Sequence, residues 1–73
     1  MEKAIYTQAH KYLTQHLKKA RLQKGLGQNE VAKLLGTTQS YVSKVESGQR
    51  RIDVVQLKEF AKIYDKKLAY FIA

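Results

Sequence analysis

Cysteine and proline are both absent from this chain of 73 residues. Without thiols there is neither a disulfide framework nor a thiolate metal site, which fits a reducing cytoplasm. Without proline no helix is broken by a missing N–H or a ring clash, so helices are open along the whole length. Long apolar runs are also missing. The longest is Leu68 to Ala73, six residues, where a membrane crossing takes about 20. Glu2 and Lys3 lead into mixed polar residues rather than into the apolar stretch of a signal peptide. Acidic residues are scarce: six Asp and Glu face fourteen Lys and Arg, for a net charge of +8. That imbalance favours a polyanionic partner, of which nucleic acid is the commonest.

The length allows one domain, 1–73, with a small core. A domain of this size buries only roughly 60% of the surface its unfolded chain exposes, so the core is compact or shared with a second copy. Apolar residues recur at helical steps at Ile5, Ala9, Tyr12, Leu13, Leu17 and Ala20, which predicts an amphipathic helix over 5–24. Residues 1–11 read as an N-terminal extension. Gly25 and Gly27 interrupt the pattern. A second helix is expected from Gln28 to Leu35, with an apolar stripe of Val31, Ala32, Leu34 and Leu35; Glu30 is placed to bond back to its start. Gly36 suits its exit. A third helix follows from Gln39 to Ser47, capped by Thr38 and ended by Gly48. A fourth spans 54–64, where Asp53 and Gln56 have the spacing of a capping box and Ile52 and Leu57 that of a hydrophobic staple. A last helical turn is expected at Leu68–Ile72. The chain stops directly after that apolar run, as a fragment of a longer protein would.

The third helix carries the functional signal. Val42 and Val45 point one way; Ser40, Ser43, Lys44 and Ser47 point the other, with Gln39 at the front. An ordinary solvated helix face holds more Glu and Lys pairs. Amides, hydroxyls and a single ammonium are instead the groups that read base edges, and a helix of about two turns fits the major groove. The joint Gly36-Thr37-Thr38 is about as short as a helix-turn-helix joint becomes.

On these residues the chain resembles the phage-repressor-like helix-turn-helix family, which includes the lambda repressor, Cro and the xenobiotic-response-element regulators. The resemblance runs from Leu17 to Ile72. It rests on Lys19-Ala20-Arg21, on Gln28-Asn29-Glu30-Val31-Ala32, and on the stretch from Leu35 through Gly36 and Val42 to Gly48. It implies an all-α, compact five-helix bundle with 39–47 as recognition helix. It also implies that Gln28 bonds a phosphate at a helix N-terminus, where an anion is favoured. Gln39 would pair with adenine, and Lys44 with guanine. Ser40 would also face bases, with Ser43 beside it. Tyr41, Ser47, Gln49, Arg50 and Arg51 would flank these on the DNA backbone. Arg21 and Glu46 would form a structural ion pair between the first and third helices. The chain departs from the family at Gly27, where a capping side chain is usual, at Asp65, where a glycine normally closes the fourth helix, and at Lys67, where the last helix usually begins with a cap.

No catalytic arrangement stands out. His10 and His16 lie well over ~90° apart on a helix, so they do not converge on a metal and read as surface histidines. Gly25-Leu26-Gly27 lacks the third glycine and the strand of a dinucleotide site, so no cofactor is expected. The leading expectation is a cytoplasmic transcriptional regulator, a repressor, that binds a double-stranded DNA operator as a homodimer through its apolar tail. A second class is an antitoxin-like module that covers a toxin and binds DNA within that complex. A third, a cationic membrane-surface peptide, is opposed by the caps and the second apolar stripe.

Overall fold

The computed structural model describes residues 7–72. Helices α1 (Gln8–Gln23), α2 (Gln28–Leu35), α3 (Gln39–Ser47) and α4 (Val54–Tyr64) follow one another, and a single 3-10 turn, Leu68–Phe71, ends the order. Among the described residues there are thus four α-helices, not five, and no strand. The fifth fails for want of length and a cap. Lys67 offers no side-chain oxygen to the turn it precedes. The closures there span three residues, Tyr70 N–H to Lys67 O at 3.0 Å and Ile72 N–H to Ala69 O at 3.3 Å.

The other boundaries follow local chemistry. Thr7 caps α1 by accepting from the His10 N–H at 3.1 Å, so the helix starts later than the expected residue 5; Ile5 lies outside the described residues. Gly27 has no side chain to cap α2, yet the end is closed because the Glu30 carboxylate accepts the Gly27 N–H at 2.7 Å. Thr38 caps α3 through the Tyr41 N–H at 3.1 Å. Asp53 and Gln56 exchange bonds of 2.8 and 3.0 Å at the head of α4. Three helices end in the same closure. The N–H two residues past the last helical residue returns to a carbonyl inside the helix: Thr37 to Ala32, Gln49 to Lys44, and Lys66 to Ala61. Gly36 and Gly48 supply the left-handed residue at φ 72° and 86°; Asp65 supplies it at φ 59°, the one non-glycine among the described residues to do so.

Eleven apolar side chains form the core, with Leu17, Val31, Val42, Val45, Phe60, Tyr64 and Phe71 at most 2% exposed. Two expected positions are elsewhere. Ala9 is exposed and His10 is buried at 8% exposure, so the inward stripe of α1 runs through His10, Thr14, Leu17, Ala20 and Arg21. His10 is therefore not a surface histidine; its ring lies against the exit of α3 at Gly48. Leu34 is 62% exposed. In so short a helix Val31, Ala32 and Leu35 fill the inward arc, and position 34 falls on its outer edge. The tail is spent largely on its own core: Phe71 is fully buried, and Leu68 and Tyr70 pack half-buried against the cluster.

Candidate nucleic-acid interface

Helix α3 is oriented by its valines. Val42 and Val45 are 0 and 1% exposed, which fixes the rotation of the helix about its axis. Gln39, Ser40, Ser43, Lys44 and Ser47 are consequently all exposed. They occupy neighbouring positions on one face at helical spacing. The Ser47 hydroxyl donates to its own helix, to the Lys44 carbonyl at 3.1 Å. Tyr41 is half-buried and turned away from this row, its ring parallel to that of Phe60 at 6.5 Å between centroids. Burial raises the Tyr41 hydroxyl pKa above its ordinary value, while nearby Arg50 pulls the other way.

Behind the outward row lies a polar network that ties three helices together. Arg21 on α1 grips Glu46 on α3 with two bonds, Nε to Oε2 at 2.7 Å and Nη2 to Oε1 at 3.1 Å. The two side chains are 9 and 4% exposed. Arg21 Nη1 also donates to the Leu26 carbonyl at 2.9 Å, so the loop between α1 and α2 hangs from the same guanidinium. The bond to Glu46 holds the Arg21 pKa above its usual value against the opposing effect of burial. Gln28, the first residue of α2, donates from Nε2 to Glu46 Oε1 at 3.1 Å, and its carbonyl accepts from Gln39 Nε2 at 3.4 Å. The network thus starts in the interior and ends at the first residue of the exposed row.

The two arginines past α3 are held differently. Gln49 and Arg50 both return their N–H groups to the Lys44 carbonyl, at 2.9 and 3.2 Å, so this turn is fastened to the helix. The Arg50 guanidinium lies over the Tyr41 ring, 5.0 Å from its centroid. Arg51 instead borders a groove of about 230 Å³ with Thr7, His10, Leu57 and Phe71. Gln49, Arg50 and Arg51 are all exposed. The Arg21–Glu46 charges cancel inside, and Lys44, Arg50 and Arg51 are exposed cations at this end of the molecule, with Asp53 near them.

Sequence reasoning missed two features here. Nothing in the spacing of Gln28 and Glu46 announces their bond, because residues 18 apart meet only once three helices have packed. The stacking of Arg50 on Tyr41 likewise depends on the turn after Gly48 folding back. Among the described residues no group of three or more His, Cys, Asp or Glu is placed to hold a metal, and no helix is long and apolar enough to cross a membrane.

An exposed polar helix face, a short turn before it and a buried ion pair behind it define a helix-turn-helix DNA-binding domain. The family model for helix-turn-helix proteins (HTH_3) matches residues 17–71, and the chain belongs to that family, the phage-repressor-like one. The structure is similar to the crystal structure of the restriction-modification controller protein C.AhdI from Aeromonas hydrophila, with 35% sequence identity and a TM-score of 0.76 over 82% of this chain and 87% of that one. No curated protein sequence matches. The protein is a DNA-binding transcription regulator of the helix-turn-helix type.

Proposed function

We propose that the protein is a transcriptional repressor that recognises a specific operator by laying α3 in the major groove of double-stranded DNA. One observation carries this reading: burial of Val42 and Val45 leaves Gln39, Ser40, Ser43 and Lys44 facing outward together. Gln39 reads adenine and Lys44 guanine, with Ser40 and Ser43 beside them on base edges. Gln28, Ser47, Gln49, Arg50 and Arg51 meet the phosphates; Ser47 exchanges its bond to Lys44 O for that contact. Its likeness to a restriction-modification controller supports a linked set of restriction-modification genes as the target. Repression needs only occupancy of the operator, and the site of action is the cytoplasm, with the DNA.

The operator is bound by a homodimer. One recognition helix reads too few base pairs for a specific site, whereas two half-sites one helical turn apart supply enough. Exposed apolar side chains at Leu34, Val54, Val55 and Ile72, each about three-fifths exposed, support self-association. Selection of binding sites from a random duplex pool tests the whole reading. It should return a two-fold symmetric motif with half-sites about 34–36 Å apart. A pool that shows no enrichment after repeated rounds would reject the proposal.

A further inference from the structure

We propose that Tyr41 is a positioning residue for DNA binding: its ring is a plate that holds the Arg50 guanidinium in place before DNA arrives. This rests on the reading of α3 as the DNA-facing helix.

Three observations on different elements converge. The Tyr41 ring is itself fixed, lying 18° from parallel with Phe60, which is 1% exposed in the core. The Arg50 guanidinium lies over this fixed ring, 5.0 Å from its centroid. The Arg50 backbone is pinned to Lys44, a residue of the exposed row, through its N–H at 3.2 Å. Both ends of the Arg50 side chain are therefore located relative to the outward face of α3.

The geometry suits phosphate binding. A cation over a ring uses the flat face of the guanidinium, while its five N–H donors lie in the plane and point outward along the edge. A guanidinium laid on the ring face keeps in-plane donors for a phosphate. A free arginine loses rotamer freedom when fixed on a ligand. The ring removes part of that loss ahead of binding, which is preorganisation. Ring and hydroxyl are separable by substitution, since phenylalanine keeps the plate and removes the hydroxyl, which also interacts with Arg50.

The test compares Tyr41→Phe, Tyr41→Leu, Arg50→Ala and the double variant Tyr41→Leu/Arg50→Ala in the full chain. Affinity is measured over a range of salt for a duplex recovered by site selection and for a random-sequence duplex. Tyr41→Phe, which keeps the ring, should bind both more tightly than Tyr41→Leu does. Tyr41→Leu should weaken both about two- to fivefold, the equivalent of about 0.5–1 kcal/mol for an exposed cation over a ring. Arg50→Ala should flatten the slope of log affinity against log salt by about one unit. In the Arg50→Ala background the leucine substitution should have no further effect.

Equal weakening by Tyr41→Phe and Tyr41→Leu would overturn the proposal in favour of a direct hydroxyl contact. The same loss from leucine with and without Arg50 would overturn it in favour of a packing role, and no loss at all would leave the ring without function. Should Tyr41→Leu not fold, the unaltered protein decides alone. The Arg50 side-chain protons must show an upfield ring-current shift in the absence of DNA, and random-coil positions would refute the stacking. If the unaltered protein enriches no duplex while those protons are shifted, the DNA-binding reading fails and the plate remains as a structural contact only.

Discussion

Arg21 and Glu46, 25 residues apart, meet through two hydrogen bonds of 2.7 and 3.1 Å in a setting where both side chains are nearly sealed from water. Such a pair contributes little relative to a well-packed apolar replacement, but removing one partner strands the other charge. Glu46 also accepts from Gln28, so its loss frees three N–H donors, two of Arg21 and one of Gln28. Glu46→Ala should therefore cost about 3–5 kcal/mol of a total of roughly 5–15 kcal/mol. The melting temperature should fall by well over 10 °C, since each kcal/mol is worth about 4–8 °C in a domain of this size. A calorimetric melt within about 2 °C of the unaltered protein would show that the pair contributes nothing to folding.

Specificity should reside in the exposed row rather than in the network behind it. Gln39 keeps its carbonyl and one N–H free even while it donates to Gln28. Replacing it with alanine should reduce discrimination between selected and random duplex by about 1–3 kcal/mol, roughly five- to 150-fold, and leave the melting temperature near its original value. Unchanged discrimination would move base readout off the start of α3.

How much of this was legible in the sequence differs by element. The bounds of α2, α3 and α4 were, because each is punctuated by residues with one strong local preference: Gly36, Thr38, Gly48, and the pair Asp53 and Gln56. The rotation of α1 was not. Between Gln8 and Leu17 it offers a single large aliphatic, Leu13, among Ala, His, Tyr and Thr, so the hydrophobic contrast that sets a helix face is weak, and the pattern points Ala9 inward where His10 belongs. The last turn falls at Leu68–Phe71, within the expected 68–72, but with no cap at its start it is a 3-10 turn and not a fifth helix. For α3, two valines three apart sufficed to orient the outer row. The meeting of Arg21 with Glu46 was implied only by family resemblance, since no spacing rule connects residues on separate helices. The Tyr41–Arg50 stack had no sequence signal at all.

Asp65 is strained where a glycine would be at ease. It holds φ 59° and ψ 46° at the end of α4, a conformation that costs a non-glycine residue about 1 kcal/mol or more. Its carboxylate also faces the negative end of the helix dipole. Asp65→Asn removes the second penalty and Asp65→Gly removes both, so stability should rise in the order Asp, Asn, Gly. The gain for glycine should be about 1 kcal/mol, or about 4–8 °C in melting temperature. If glycine at this position melts lower than aspartate, the left-handed closure of α4 is wrong.

Tyr64 makes stability sensitive to alkali. The residue is 2% exposed and its hydroxyl has no hydrogen-bond partner among the described residues. Burial, reinforced by the nearby Glu46 charge and only partly offset by Arg21, raises the hydroxyl pKa well above its ordinary value. The folded state therefore retains a proton that the unfolded chain releases near pH 10. The sign follows: where the native state binds more protons than the unfolded one, stability falls as pH rises. This contribution is complete below about pH 10 and disappears at up to about 1.4 kcal/mol per pH unit above it. Tyr64→Phe removes the titrating group together with a buried, unpartnered hydroxyl, whose desolvation costs about 1–3 kcal/mol. The variant should melt no lower than the unaltered protein at pH 7 and lose less stability between pH 10 and 11. Denaturant melts at those pH values measure both; parallel alkaline losses in the two proteins would place the sensitivity on another group.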